Sequence, residues 1–242
     1  MSYIRPRAKG ARVTMYQRYA VYFTPPSDHS LAAFGAGWLG WDIVAGEPVR
    51  HPRLDGLPLP VEEITATPRR YGLHGTLKAP FVLNPDFSAT ELVETVRGYA
   101  KQQEPVEIGL LELDSIKQFI ALRPADPDPA FGALVGDIVM ALDRFRAPMG
   151  PQELQRRRSA NLSPRQDELL RLWGYPYVLD EFRFHVTLTG SLSDNQQAQT
   201  REVLEMALEP HLKRPFMLNE LCLCGQLENG CFKLIERVPL RG

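Results

Sequence analysis

The chain has 242 residues, of which 44% are hydrophobic and 24% are charged, and its formal net charge is −1 at pH 7. This length and composition are typical of a globular protein, with enough volume for one large domain or two packed lobes. The near-zero net charge argues against non-specific electrostatic binding to nucleic acid, because such binding needs a strongly basic surface.

Residues 1–17 are interpreted as a basic tail, because they lack the apolar stretch of a signal peptide. No run of 18 apolar residues is present, so we expect no membrane-spanning helix. The three cysteines, Cys222, Cys224 and Cys231, form no C-x-x-C motif. This favours reduced, buried thiols over a disulfide framework or a structural zinc site. The protein is therefore expected in the cytoplasm.

The first half of the chain, taken as residues 18–125, is predicted to alternate strands and helices. In chain order we expect a strand, a short helix, a proline-rich connection and a helical turn over 19–24, 30–39, 48–60 and 61–67. A strand over 71–83 follows. The next helix begins at the capping box that starts with Ser88 and runs to about Gln103. Two β runs over 106–113 and 118–123 end this half.

Residues 126–175 are predicted to hold two helices and a basic loop. Asp128 and Pro129 open a helix that runs to about Phe145, with Asp as N-cap and Pro at the first helical position. Residues 147–162 are polar and include three consecutive arginines, and Ser163 caps a helix that ends near Trp173. The loop is interpreted either as a solvated surface or as a lid that meets an anionic substrate.

The remaining residues, 176–242, repeat the order of the first half. We expect a strand over 181–189, a helix from the capping box at Ser193 to just before Pro210, and β runs over 216–224 and 231–238 joined by a turn containing Asn229-Gly230. Because His74 and His185 lie 111 positions apart, and Pro105 and Pro215 lie 110 apart, we interpret the chain as a half-length duplication.

Two short motifs have the same residues at three of four positions, with His first, Thr third and Leu fourth. They are His74-Gly75-Thr76-Leu77 and His185-Val186-Thr187-Leu188. Residues i and i+2 of a strand point to the same side, so each motif presents an imidazole and a hydroxyl together, with Leu on the opposite, core side. Strand alternation adds Arg70, Gly72 and Lys78 to the face of the first motif, and Arg183 and Thr189 to that of the second. Two such faces around one anionic group suit phosphoryl chemistry.

These motifs resemble the paired H-x-T-x motifs of the two-histidine (2H) phosphoesterase superfamily, which includes cyclic nucleotide phosphodiesterases and 2′-5′ RNA ligase-like proteins. The longer strings, residues 69–81 and 182–190, look like the branch linked to bacterial phosphonate metabolism. The resemblance implies an α+β fold of two pseudo-twofold-related lobes, with antiparallel β-sheets flanked by helices around a central cleft. It also implies chemistry on a cyclic phosphate or phosphodiester that needs neither metal nor cofactor.

Imidazole titrates near pH 6.5, so one histidine can accept a proton from water while the other donates a proton to the departing alkoxide. The sequence does not decide which is which. The expected catalytic residues are His74, Thr76, His185 and Thr187. The expected substrate-binding residues are Arg70, Tyr71, Lys78, Arg183, Thr189 and Arg165, the last from the basic loop or its boundary.

The leading hypothesis is a metal-independent phosphodiesterase that opens a small cyclic phosphate. Two alternatives stay open. One is an enzyme acting on RNA ends with 2′,3′-cyclic or 2′-5′ linkages, which would bind RNA tightly and with a steep salt dependence. The other is a module that binds a phosphorylated ligand without turning it over.

Overall fold

The computed structural model describes residues 16–242. Residues 1–15, most of the expected basic tail, lie outside this part. Strands occupy β1 Tyr19–Phe23, β2 Trp41–Asp42, β3 Glu47–Pro48, β4 Gly75–Phe81, β5 Val106–Gly109, β6 Leu111–Ile116, β7 Phe119–Pro124, β8 Val186–Thr187, β9 Phe216–Leu218, β10 Glu220–Gln226 and β11 Phe232–Pro239. The α-helices are α1 Ser30–Leu39, α2 Val61–Ile64, α3 Ala89–Ala100, α4 Pro129–Ala141, α5 Pro151–Arg158, α6 Pro164–Trp173 and α7 Asp194–Leu208.

Most strands form one antiparallel sheet in the order β11-β10-β1-β4-β8-β7-β6. The α+β fold with antiparallel sheets expected from the sequence is confirmed. The two motif strands, β4 and β8, are neighbours at the centre of this sheet and join its two parts. On the β4 side of the sheet lie β1 and, beyond it, β10 and β11 from the second half of the chain; on the β8 side lie β7 and β6 from the first half. Each lobe is therefore built from both halves.

The predicted β runs 106–113 and 216–224 are each two strands rather than one. Gly109, at φ 96°, breaks the first run between β5 and β6, and Asn219 separates β9 from β10. The equivalent short strands β5 and β9 pair with each other in a separate two-stranded sheet. Pairing between equivalent elements is what a twofold relation between the repeats produces.

The predicted helix starts are confirmed where a side chain caps the first turn. Ser88, Ser163 and Ser193 each begin a helix with a capping box, and Asp128 accepts a hydrogen bond from the backbone N–H of Ala130. The polar segment 147–162 is not wholly a loop, because it contains α5. Pro151 opens this helix, and a Glu153–Arg157 pair one turn apart supports it.

The main core lies on the face of the sheet that carries Leu77 and Leu188, both buried. Trp38 of α1 fixes the second motif strand, because its indole N–H donates to the carbonyl of Leu188 at 2.8 Å. A second buried cluster contains Tyr22, Cys222, Cys224 and Phe232. The expected burial of the cysteines is confirmed for these two, while Cys231 is partly exposed. Among residues 16–242, no helix has the length and apolar character needed to span a membrane.

Candidate active site

The two motif histidines are held in the same way by their own backbone. The Nδ1 of His74 lies 2.9 Å from the carbonyl oxygen of Gly72, and the Nδ1 of His185 lies 2.8 Å from that of Arg183. A carbonyl only accepts, so Nδ1 carries the proton in both rings and Nε2 is the free nitrogen of the neutral imidazole.

The approach to each motif is not the strand that the sequence predicted. The first strand was expected from residue 71, but residues Pro68–Tyr71 form a 3₁₀ turn that Gly72, at φ 66°, terminates. The second was expected over 181–189, but Leu179–Glu181 is also a 3₁₀ turn and only β8 is strand. Side-chain alternation therefore holds within each motif and fails on both sides of it.

The register of β4 and β8 brings the two motifs together. Gly75 pairs directly with Val186 in the antiparallel direction. One step to either side, this register sets His74 beside Thr187 and Thr76 beside His185. Directly opposed residues have Cβ atoms about 5 Å apart and share a face of the sheet. The four residues predicted as catalytic thus form a square in which each histidine has the other motif's threonine as its neighbour.

Gly75 makes this close pairing possible. A Cβ atom at position 75 would lie 2.2 Å from the ring of Phe184, which precedes the second motif histidine. Phe184 is buried and packs edge-on against Phe23 and Phe131. The glycine of the first motif therefore admits the aromatic ring that anchors the start of the second.

The surroundings of the two histidines differ. The ring of His74 lies 4.0 Å from that of Tyr22 and 5.7 Å from that of Tyr71. The pKa of His74 is lowered to about 4, mainly by burial; the bond to the Gly72 carbonyl opposes this shift, and the nearby His185 adds to it. The ring of Phe119 packs against that of His185, with 6.0 Å between the ring centres. His74 is thus neutral at pH 7 in a tyrosine-lined setting.

Arg123 is a site residue that sequence reasoning missed. Ala121 of β7 pairs with Thr187, and the same register sets Arg123 beside His185. Its guanidinium pairs with Asp114 on the neighbouring strand. Strand alternation within the run 118–123 places Arg123 and Phe119 on one face, but only the pairing of β7 with β8 reveals that this is the motif face.

A cavity of about 520 Å³ opens beside Thr76 and His185. Its wall includes aromatic rings from separate segments of the chain, namely Phe119, Tyr175, Tyr177 and Phe182. It also includes three cations, Lys117, Arg123 and Arg183, and one carboxylate, Glu181. Of the expected substrate-binding residues, Arg183 is therefore at the cleft. Tyr71 is not part of the lining of this cavity; its ring lies 5.7 Å from that of His74 and stacks on Phe232 at 5.5 Å.

Lys78 does not line the cleft as expected. Val21 pairs with Lys78 but Tyr22 pairs with Thr76, so Leu77 is the extra residue of a β-bulge. The bulge turns Lys78 to the helix side of the sheet, where it is buried and its Nζ donates to the carbonyl of Val139 at 3.0 Å. A second contact, at 3.4 Å, joins Nζ to Asp143.

Thr189 is also withdrawn from the cleft. It is buried, its hydroxyl accepts from the backbone N–H of Ile120 at 2.9 Å, and it donates to the carbonyl of Gly190. Both hydroxyl functions are thus used within the fold. Arg70 lies in the 3₁₀ turn before Gly72, with its guanidinium 6.0 Å from the ring centre of Tyr71. The alternation that assigned Arg70 to the motif face does not apply in a turn.

The basic segment touches the cavity wall through a residue other than those expected. Arg165 is held by Asp180 and Glu168, and Arg158 by Asp167. Arg157 of α5 instead lies over the ring of Tyr175, at 5.9 Å. The segment therefore contacts one tyrosine of the cavity wall, while the guanidinium of Arg165 is paired with carboxylates.

In the described part of the chain, no three His, Cys, Asp or Glu side chains are grouped as metal ligands.

Residues 76–233 match the family described as "Protein of unknown function (DUF1045)". The chain belongs to this family. The match contains the whole second motif and begins at Thr76 of the first.

Two curated relatives are named ribose 1,5-bisphosphate phosphokinase PhnN. The protein from Janthinobacterium sp. (strain Marseille) is 34% identical over 232 residues, which are 93% of this chain and 51% of the relative. The protein from Laribacter hongkongensis (strain HLHK9) is 34% identical over 177 residues, 73% of this chain and 41% of the relative. This DUF1045 chain thus spans about half the length of the curated relatives or less.

Solved structures with a similar fold include TT0787 of Thermus thermophilus, with a TM-score of 0.44, 13% identity and coverage of 93% of this chain and 98% of that one. A crystal structure of a phosphoesterase has a TM-score of 0.42, 14% identity and coverage of 94% and 100%. E. coli LigT complexed with 3′-AMP has a TM-score of 0.40, 14% identity and coverage of 94% and 100%.

Proposed function

We propose that the chain is a metal-independent phosphodiesterase that opens a cyclic phosphate with one histidine as general base and the other as general acid. The observation that carries the proposal is the pairing of Gly75 with Val186. This register supports an arrangement of two imidazoles and two hydroxyls on one face of the sheet, and in the proposal a single phosphate contacts all four. The resemblance of the paired H-x-T-x motifs to those of 2H phosphoesterases supports the same chemistry.

His74 takes the role of base in this proposal. The pKa of His74 is lowered to about 4 by burial, so its free Nε2 is unprotonated at pH 7 and can accept the proton of an attacking water. The ring of Tyr22 is fully buried and covers this imidazole, which makes Tyr22 a positioning residue for the base.

His185 takes the role of acid. In this step His185 carries a proton on both ring nitrogens. The water oxygen forms a bond to phosphorus, the bond from phosphorus to one ring oxygen breaks, and Nε2 of His185 gives its proton to that oxygen. The proton taken up by His74 balances the one given by His185, and the product is a phosphate monoester with a free hydroxyl. The hydroxyls of Thr76 and Thr187 donate to the non-bridging oxygens as negative charge develops on them.

A phosphorylated pentose is the first substrate class to test. The curated relatives, of which this chain matches about half, are named for an activity on ribose 1,5-bisphosphate. Opening a cyclic phosphate on ribose yields a ribose phosphate monoester, the class of compound in that name. This agrees with the link to phosphonate metabolism that the motif strings imply.

An RNA end is the second candidate substrate. Phe119, Tyr175 and Tyr177 at the cavity could stack a base, and such stacking is tolerant of sequence. A 2′,3′-cyclic or 2′-5′ terminus would then occupy the square of motif residues.

The experiment is a panel screen of the purified protein in EDTA, with products identified by ³¹P NMR. The panel contains ribose cyclic phosphates, 2′,3′-cyclic nucleotides, 2′-5′ dinucleotides and linear diesters. We expect ring opening of a ribose cyclic phosphate at the highest kcat/KM. Preference for RNA ends would favour the second candidate, and binding without any turnover would indicate a non-catalytic module.

A further inference from the structure

We propose that the cavity beside His185 binds a second phosphate group of the substrate, separate from the one that reacts. The proposal rests on the proposed function and specifies the substrate further. Its residues are Lys117 at the tip of the β6–β7 hairpin and Arg183 just before the second motif, both on the cavity wall. Arg123, beside His185 in the register of β7 and β8, contributes positive charge that Asp114 partly offsets.

The charge balance of the cavity favours an anion. Three cations line it and only one carboxylate, Glu181, whose Oε2 already accepts from the side-chain amide of Gln166 at 3.0 Å. The nearby Asp180 carboxylate is held by Arg165. Within residues 16–242 the ammonium group of Lys117 has no ion-pair partner. The cavity therefore has an excess of positive charge that its own acids do not neutralise.

Arg183 is oriented by the backbone in a way suited to phosphate. Its Nη1 donates to the carbonyl of Asp180 at 3.0 Å and to that of Phe182 at 2.6 Å. These two bonds fix the plane of the guanidinium. In the described part of the chain, its Nε and Nη2 donate to no other group, and they are the pair of N–H groups that can bind a phosphate bidentately.

Lys117 holds a backbone conformation that its side chain does not favour. Its φ is 54°, in the left-handed region where glycine and asparagine are preferred, at a two-residue turn between Ile116 and Phe119. The buried amide of Gln197 fixes the turn by donating to the carbonyl of Lys117 at 3.1 Å. An uncommon backbone conformation held at a cavity mouth is often functional, and here it presents an unpaired cation.

The size of the cavity matches this role. About 520 Å³ is space for a pentose and a phosphate group beyond the square of motif residues. The aromatic rings of Phe119 and Tyr175 provide flat surfaces for the sugar, while Lys117 and Arg183 bind the anion. The second phosphate would fix the sugar so that the reacting phosphorus lies between the two imidazoles.

The test compares two substrates, a ribose cyclic phosphate and the same compound bearing a second phosphate on another hydroxyl. We expect wild-type kcat/KM to be at least about tenfold higher for the doubly phosphorylated compound, the effect of one charge-assisted hydrogen bond. Lys117→Asn and Arg183→Gln should each lower this preference by about tenfold. Lys213→Asn is the matched control, because Lys213 pairs with Glu209 outside the cavity and its loss should leave the preference unchanged.

The outcomes separate this inference from the proposed function. If neither compound is opened by the wild type, the proposed function is wrong. If both are opened equally well, the function stands and the second-phosphate site is refuted. A preference that survives in both Lys117→Asn and Arg183→Gln places the second phosphate elsewhere and also overturns the inference. Because asparagine suits a left-handed φ, Lys117→Asn should retain the wild-type melting temperature, which excludes misfolding as the cause of an effect.

Discussion

The ring of Tyr22 lies 4.0 Å from the imidazole of His74, with the two planes tilted by 38°. The equivalent neighbour in the other lobe is Ala121, which pairs with Thr187 as Tyr22 pairs with Thr76. A large ring in one lobe and a methyl group in the other give the two similar motifs unequal surroundings. This inequality allows a repeated motif to supply both a base and an acid.

Replacing Tyr22 tests this relationship through the pKa of His74. Tyr22→Leu should raise the pKa of His74 from about 4 toward 6.5, because removing the ring admits water to the imidazole. A base must be neutral, so activity is lost as pH falls through this pKa, and the acid limb of the pH–rate profile should move to higher pH. Tyr22→Phe keeps the ring and should keep the low pKa. An NMR titration of His74 that is identical in wild type and Tyr22→Leu would contradict the assignment.

Gly75→Ala should destabilise the protein by about 1–3 kcal/mol, since the added Cβ would lie 2.2 Å from the ring of Phe184 in a packed core. Chemical denaturation measures the effect. Gly98→Ala in α3 is the matched control: nothing lies within 4 Å of its added Cβ, so the helix should be stabilised by about 0.5–1 kcal/mol. Phe184→Leu in the Gly75→Ala background should recover part of the loss. Equal effects of the two alanine substitutions would show that Phe184 does not require the glycine.

Lys78→Met should not destabilise the fold at neutral pH. Burial lowers the pKa of Lys78 to about 8, although Asp143 opposes the shift. The unfolded chain, with a pKa near 10.5, therefore binds more protons than the folded one between these values, and wild-type stability should rise as pH increases from about 8 to 10.5. The variant should lack this rise, and Asp143 keeps Arg146 as its partner. Urea denaturation at several pH values measures both; a clear loss of stability at pH 7 would show that the buried ammonium is net favourable.

Activity should be unaffected by EDTA. The proposed acid and base complete both proton transfers without a Lewis acid, so the rate with an identified substrate should be equal before and after chelation. Activity that EDTA abolishes and zinc or manganese restores would replace this mechanism with a metal-assisted one.

The features that the sequence predicts well depend on residues that are close together in the chain. The helix starts at Ser88, Ser163 and Ser193 follow from capping boxes a few residues long, and the shared face of His74 and Thr76 follows from alternation inside one motif. These features depend on residues within a turn of each other. The α+β class follows from the repeated order of strands and helices, which also needs no knowledge of pairing.

The register in which the strands pair could not be predicted from the sequence. The bulge at Leu77 turns Lys78 away from the cleft, and it is defined only by the partner strand β1. Arg123 and Tyr22 join the site through strand neighbours distant in sequence. The hydroxyl of Thr189 is taken by Ile120 for the same reason. Pairing between remote segments thus decides which residues join the two motifs.

The most direct test of the central claim is the rate of ring opening by single and double variants of the two histidines. His74→Ala and His185→Ala should each lower kcat/KM by about two to four orders of magnitude. The double variant should be only slightly worse than either, because the two groups act on one transition state. His211→Ala, a histidine bonded to Ser30 outside the cleft, is the matched control and should retain full activity. Full activity in either single motif variant, on a substrate that the wild type opens, would contradict the account.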